Sequence, residues 1–395
     1  LSLYYSPLKK QCMKIISSIL ITLAISSVAF GKDIKENLAA TQLQQIMKEN
    51  KAVGLAVAVV KGGKIVYVGS FGKKNIENDV DLKKDDLFRI ASISKSFTTT
   101  ALMTLVDKGL VDINQDVSEL IGFKVRNPKF PDIPITLKML LSHTSSLRDA
   151  AGYFTLDVVN PEKNEKYGEA YHDYAPGTAY DYCNLGFNII GTIVERVSGK
   201  RFDDYVRNSV IRPLGLYADY NVDSLDTSKF VTLYGNDDNG IWGARPEAYM
   251  SRGDEIKNNY VFGYSTPIFS PTGGIKISAQ DLARYMIMHM NYGKYGKVRV
   301  ISEKSSRMMQ TPVVKVDDFT EYCMALEKVT NLIPGEVMTG HTGSAYGVYS
   351  AMFFNPDKRF GIVMMTNGCP PVYKDGFTVI QGEVIRALYN IFIAK

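Results

Sequence analysis

The stretch Phe88-Arg89-Ile90-Ala91-Ser92-Ile93-Ser94-Lys95 stands at a change of pattern. Before it, Val53 to Val60 and Ile65 to Ser70 are apolar runs joined by Lys61-Gly62-Gly63-Lys64, which reads as two strands and a tight glycine turn. After it, Phe97, Ala101, Leu102, Leu105 and Val106 fall on one helical face, and Gly109 ends the run. Ser92 therefore falls at the N-cap or first turn of a helix. Residues three apart share a helix face, so the Lys95 ammonium can reach the Ser92 hydroxyl. The helix N-terminus also favours negative charge developing beside it. A serine hydroxyl is a weak nucleophile until a base takes its proton. A buried lysine can serve if its pKa falls, or it can lower that of a neighbouring tyrosine. The spacing alone is cheap: Ser6 and Lys9 repeat it, and serine is an ordinary helix cap.

Working outward, Leu38 to Glu49 reads as a helix. Asn114 to about Tyr260 is punctuated by Pro and Gly, with helical pieces at Lys138 to Ser142 and Leu185 to Val197. Ala279 to Tyr292 is helical again. Two apolar strands follow, Tyr349 to Phe354 and Phe360 to Thr366, separated by Asn355-Pro356-Asp357-Lys358. A last helix places Phe377, Ile380, Val384, Ile385, Leu388 and Ile391 on one face. Strands gather at both chain ends and helices in the middle, which predicts segregated α+β layers. The simplest arrangement pairs the terminal strands in one sheet and sets the middle apart as a helical lobe. Residues 32–110 and 265–395 would form the sheet lobe and 111–264 the mainly helical lobe.

The chain has 395 residues, 45% hydrophobic and 22% charged, an ordinary globular composition that excludes wholesale disorder and a polytopic membrane protein. Met13-Lys14, the apolar run Ile15 to Phe30 and the small-x-small Ala29-Phe30-Gly31 have the layout of a secretory signal. Residues 1–31 are expected to be leader and signal peptide, the mature protein to be periplasmic or secreted, and no stable membrane span to persist after cleavage. Three of the 46 basic residues (Lys9, Lys10, Lys14) and none of the 41 acids lie in that leader, which leaves an excess of only +2 beyond it. Charge therefore offers no argument for a nucleic-acid partner. Cys183, Cys323 and Cys369 beyond the leader are odd in number, so at least one is unpaired. No Cys/His spacing suggests a metal site.

Two further motifs carry chemistry. In Tyr182-Cys183-Asn184, a tyrosine beside a cation can act as general base, and an asparagine can hold a substrate amide or orient the lysine. The turn Pro176-Gly177 before it and the helix after it anchor this loop. A decoy, Tyr234-Gly235-Asn236, runs into Asp237-Asp238-Asn239-Gly240 and reads as a solvated loop. In His341-Thr342-Gly343-Ser344, Gly343 permits close backbone approach to a ligand, and a strand edge offers N–H groups that can polarise a carbonyl.

Taken in order, Ser-x-x-Lys, Tyr-x-Asn about 90 residues on, and His-Thr-Gly beside a C-terminal strand resemble the serine β-lactamase and penicillin-binding protein superfamily, in its class C β-lactamase-like, D,D-carboxypeptidase and esterase branch. Leu140-Leu141-Ser142-His143-Thr144-Ser145-Ser146-Leu147 and Pro271-Thr272-Gly273-Gly274 support it. The resemblance spans about residues 45 to 390. It implies a β-lactamase/transpeptidase-like fold with the active site between sheet and helical lobe. It implies Ser92 as nucleophile, with Lys95 and Tyr182 sharing the proton transfer and either one serving as base. Asn184 would hold Lys95 and the substrate amide, His341 would face the leaving group or a carboxylate, and Thr342, Gly343 and Ser344 would line the substrate. The backbone N–H groups of Ser92 and Ser344 would form the oxyanion hole. No metal or organic cofactor is implied.

The departures bear on substrate. Arg89-Ile90-Ala91 replaces the Glu-Leu-Gly usual in class C β-lactamases, and His341 replaces the usual Lys. A neutral imidazole holds a carboxylate less strongly than an ammonium does. Cys183 stands where Ala or Ser is common, and Ser146 where Gly is usual. His143 reads as structural. The first expectation is an exported serine hydrolase acting on a D-amino-acid peptide, the next an esterase with the same machinery. β-Lactam hydrolysis and a non-catalytic penicillin or cell-wall binder follow. An α/β-hydrolase would need G-x-S-x-G, which is absent. The oligomeric state is not legible.

Overall fold

The computed structural model describes residues 32–236 and 242–394. The expected leader lies outside the described residues. No described helix is long and apolar enough to cross a membrane.

A nine-stranded antiparallel sheet organises the molecule. Its strands are β1 (Gly54–Lys61), β2 (Lys64–Asn75), β3 (Val80–Asp81), β4 (Val314–Lys315), β5 (Thr320–Tyr322), β6 (Glu327–Val329), β7 (Met338–Ala345), β8 (Val348–Asn355) and β9 (Phe360–Thr366). The spatial order is β4-β5-β6-β7-β8-β9-β1-β2-β3, so the first strand pairs with the last and both chain ends meet in mid-sheet. β1 shows why the sheet must be covered on both faces. Leu55, Val57 and Val59 enter one apolar core, and Ala56, Ala58 and Val60 enter the other. Successive side chains of a strand point to opposite faces, so a run with no polar alternation needs two covers.

One cover is made by α1 (32–49), with Ala39, Leu43 and Met47, and by α5 (Val379–Leu388), with Ile380, Val384, Ile385 and Leu388. The other holds α2 (Ser94–Asp107), α3 (Asn184–Ser198) and α4 (Ala279–Met290), the middle of the chain filling in around them. Each fully buried Val, Leu or Phe contributes roughly 1.5–3 kcal/mol.

Two expectations need correction. The apolar stripe on α2 predicts one buried face, yet Thr98, Thr99, Thr100 and Thr104 on the other faces are buried too. Their hydroxyls donate to the carbonyls of Pro271, Lys95, Ser96 and Ala101, so burial leaves none of them unpaired. Second, Tyr234-Gly235-Asn236 is not loop. It pairs with Trp242–Ala244 as a short hairpin, and Tyr234 is buried with its hydroxyl donating to Glu77 at 2.5 Å. Asp237 to Gly240 lie outside the described residues. Cys183, Cys323 and Cys369 are all buried free thiols.

Candidate active site

Ser92 sits in a single 3₁₀ turn, Ala91–Ile93, that runs straight into α2. Ala91 before it is held at φ 50°, a left-handed conformation that costs a residue with a Cβ roughly 1–2 kcal/mol. This sharp entry brings the turn against β7. There Gly343 packs so closely that a Cβ would lie 2.2 Å from the Ile90 carbonyl and 2.4 Å from Ser350 Oγ. β6 pairs with β7 only at Met338–Gly340, and beyond that pairing the edge of β7 is where the Ser92 turn packs.

Lys95, one turn on, is fully buried. Its Nζ donates to Ser92 Oγ at 3.1 Å, Asn184 Oδ1 at 2.8 Å and the Thr272 carbonyl at 3.1 Å, and lies 4.7 Å from the Tyr182 ring centre. Burial lowers its pKa to about 7, opposed by the negative charge of Asp149. Near neutral pH a large share of Lys95 is therefore free amine, in contact with the hydroxyl it would deprotonate. The Tyr182 hydroxyl is buried without a well-aligned partner. Burial first of all drives its pKa well above the usual tyrosine value, and the nearby Ser92 hydroxyl opposes this. Tyr182 is thus a neutral phenol poised beside the nucleophile.

Three walls fix these groups. Asp149 caps the N-terminus of α3: its carboxylate accepts from the N–H of Asn184 at 2.9 Å and of Leu185 at 3.0 Å, and from Asn184 Nδ2 at 2.8 Å. That turns Asn184 Oδ1 toward Lys95. The Pro271-Thr272-Gly273-Gly274 loop supplies the Thr272 carbonyl to Lys95 and the Thr272 hydroxyl to Asn184 Oδ1 at 2.7 Å. The Ser142 to Ser146 segment ties down the Tyr182 loop. Gly177 N–H donates to Thr144 O at 2.7 Å, Asp181 N–H to His143 O at 2.9 Å and His172 N–H to Ser146 O at 2.8 Å. Ser146 adopts φ 61°, which explains the glycine usual there; its hydroxyl accepts from Asn127 Nδ2 at 3.0 Å.

His341 is buried, and both of its ring nitrogens have protein partners. Cys183 N–H donates to His143 Nδ1 at 3.0 Å, so His143 Nε2 carries the proton and donates to the Tyr322 hydroxyl at 3.1 Å. The Tyr322 O–H then donates to His341 Nε2 at 3.1 Å, and His341 Nδ1–H to the Thr342 carbonyl. Burial and the nearby Lys95 hold the His341 pKa down to about 4 and that of His143 well below its usual value. Both rings are neutral at pH 7. His143 is structural, as read, and also active in placement: its ring lies 4.3 Å from that of Tyr182. At this end Glu327 stands on β6, opposite Gly340. Burial pushes its pKa up to about 7.

The cavity over Ser92 measures ≈ 480 Å³ and is lined by Tyr182, Asn184, Thr272, Ser344, Arg89 and Tyr346 among others. On β7, His341 is buried, Thr342 is partly exposed, and Gly343 is packed between strand and turn. Sequence reasoning missed Asp149, Thr272 as a site residue, and Tyr322. Thr272 stood inside a quoted motif; Asp149 and Tyr322 have no local signal.

A Ser–Lys pair whose lysine is buried, beside a tyrosine and between sheet and helices, defines a class. The Beta-lactamase family model matches residues 39–380; the chain belongs to this family and is a serine hydrolase of the β-lactamase/transpeptidase-like fold. In sequence it is similar to Penicillin-binding protein 4 of Amycolatopsis lactamdurans, 27% identical over 352 residues that cover 85% of this chain and 87% of that one. In structure it is similar to the octameric penicillin-binding protein homologue from Pyrococcus abyssi, with TM-score 0.70, 24% identity, and 89% of this chain and 76% of that chain covered. It is similar also to a D-alanine carboxypeptidase from Burkholderia cenocepacia, with TM-score 0.67, 20% identity, and 91% and 98% covered.

Proposed function

We propose that this chain is an exported hydrolase that opens a small amide or ester through an acyl-Ser92 intermediate, with a D-amino-acid peptide as its substrate. The observation that carries the mechanism is the buried Lys95 Nζ, 3.1 Å from Ser92 Oγ with a pKa near 7. Free Lys95 takes the Ser92 proton as Oγ attacks the carbonyl. The Ser92 and Ser344 N–H groups hold the oxyanion, each such donor typically stabilising the transition state by ~3–4 kcal/mol. Neutral Tyr182 passes its proton to the leaving group as the acyl–leaving-group bond breaks and regains one from the Lys95 ammonium, which is free amine again; water then attacks the acyl carbonyl, releasing the acid and restoring the Ser92 hydroxyl. Asn184, braced by Asp149, keeps Lys95 in place. The named D-alanine carboxypeptidase neighbour and the penicillin-binding relatives support the peptide reading.

A second reading, an esterase, is favoured by the His341 end of the site. A C-terminal carboxylate would meet a neutral imidazole already occupied by Tyr322 and the Glu327 carboxyl beyond it. The test is a rate panel on a chromogenic cephalosporin, a D-Ala-D-Ala peptide and p-nitrophenyl esters, each against Ser92→Ala. Fastest turnover of the peptide supports the first reading and of esters the second. Turnover that persists in Ser92→Ala overturns both.

A further inference from the structure

A second cavity, ≈ 50 Å³, adjoins the one over Ser92, and Arg89, Phe154, Ser270 and Tyr346 belong to the walls of both. That is room for about one carboxylate group. Three basic side chains line it, Arg89, Arg252 and Lys276, against one acid, Glu247. Lys276 is 3% exposed, and its Nζ donates to a single neutral acceptor, the Tyr220 carbonyl at 2.6 Å. Arg89 donates only to neutral acceptors: the carbonyls of Gly273 and Ala248, both at 3.0 Å, and Ser270 Oγ at 3.2 Å. Among the described residues neither cation meets a carboxylate at ion-pair distance. Asp219, which acts on Lys276 from further off, is taken by Arg207 at 2.5 Å. Arg252, 42% exposed, pairs with Glu255 at 2.9 Å on the rim. A buried ammonium with one carbonyl for company is costly to keep charged. Burial, with Arg89 second, accordingly drives its pKa well down. A carboxylate entering the cavity would supply the opposite charge that favours the ammonium form against both effects.

The path of β7 orients a substrate between the two cavities. It passes His341, whose ring lies 6.1 Å from that of Tyr182, then Ser344 in the wall over Ser92. Just past its end it reaches Tyr346, whose ring lies 4.8 Å from the Arg89 guanidinium. Tyr182 and Lys95 move the leaving group's proton, so the leaving group belongs at the His341 end and the acyl group at the Arg89 end.

We propose that the Arg89–Lys276–Arg252 cavity binds a carboxylate borne by the acyl part of the substrate, so that the preferred substrate is an amide or ester of a dicarboxylic acid or of an acidic acyl peptide. This deepens the hydrolase reading above and rests on it.

The test compares kcat/KM of the full chain on mono-p-nitrophenyl esters of succinic, glutaric and adipic acids with neutral esters of equal chain length. At one length the charged ester is preferred by about tenfold or more, about 1.4 kcal/mol. The charged-to-neutral ratio falls toward unity in Lys276→Met and in Arg252→Gln; the second lies on the surface and carries the test if the first does not fold. A readout free of turnover is calorimetric titration of glutarate into Ser92→Ala protein, with binding lost when Lys276→Met is added. Ester turnover with a ratio near one at every length, and no glutarate binding, overturns the cavity's role and leaves the hydrolase reading standing. Glutarate binding without turnover of any ester or amide overturns the hydrolase reading alone.

Discussion

Replacing Asp149 by Asn removes one negative charge while keeping the size of the side chain, and it separates two roles the carboxylate plays. Asp149 Oδ2 accepts from Asn184 Nδ2 at 2.8 Å, and Asn184 Oδ1 accepts from Lys95 Nζ at 2.8 Å. Across the width of the amide, the carboxylate stands about 7 Å from the ammonium. At an effective dielectric of ~20, two unit charges at that distance interact by roughly 2 kcal/mol, or between one and two pKa units. Asp149 raises the pKa of Lys95 against the burial that holds it near 7. Its removal therefore lowers that pKa, and the base is free at lower pH. In the pH profile of kcat/KM on a neutral ester such as p-nitrophenyl butyrate, wild-type activity rises with pH through about 7. In Asp149→Asn the rising limb moves down by about one unit. The plateau also falls, by about tenfold, because Asn184 loses a charge-assisted bond worth ~1.5 kcal/mol more than a neutral one. A plateau loss with an unmoved limb would mean that some group other than Lys95 sets the profile, and the assignment of the base would fail.

Other substitutions test the remaining parts. Tyr182→Phe removes a buried hydroxyl that lacks a good partner, so urea unfolding finds stability unchanged or raised by up to ~1 kcal/mol, while acylation falls by orders of magnitude. Lys95→Ala loses acylation to a similar degree. Tyr322→Phe has the opposite signature: His143 Nε2–H and His341 Nε2 are left unpaired in a buried site, costing roughly 1–3 kcal/mol of stability. Gly343→Ala pushes a methyl to 2.2 Å from the Ile90 carbonyl, so β7 and the Ser92 turn must part; kcat/KM drops about a hundredfold, with circular dichroism unchanged. His289 is buried with both ring nitrogens unpaired, and burial lowers its pKa to about 3. The unfolded chain takes up a proton near pH 6.5 that the native ring refuses until about pH 3. Stability therefore falls as pH falls through that window, by about 2 kcal/mol between pH 7 and pH 5. Thermal melts of His289→Leu show a flatter dependence; an unchanged slope would assign the acid sensitivity elsewhere.

The order of strands and helices was legible because periodicity is local. The two-faced apolar β1, the Gly109 stop after α2 at φ 69° and the strands β8 and β9 all follow from neighbours along the chain. Where a reading failed, tertiary packing outweighed local composition. Tyr234 sits in polar sequence yet is buried, and the threonine faces of α2 are polar by pattern yet lie in the core because their hydroxyls close on nearby carbonyls. His341 was legible from its motif, but the tyrosine that bonds its Nε2, on a different strand 19 residues away, gave no local signal.

What the chain itself determined is the set of reactive groups and their spacing in two local pairs. Ser92 and Lys95 are one helical turn apart, and Tyr182 and Asn184 lie at the start of one helix, whatever else surrounds them. Only the folded molecule decided their chemistry. Lys95 is held by Asn184, 89 positions on, and by Thr272, 177 positions on, and the packing that brings those partners together also removes water from its ammonium. A proton's affinity depends on the dielectric and charges around the nitrogen, and those belong to the assembled fold rather than to any segment of it.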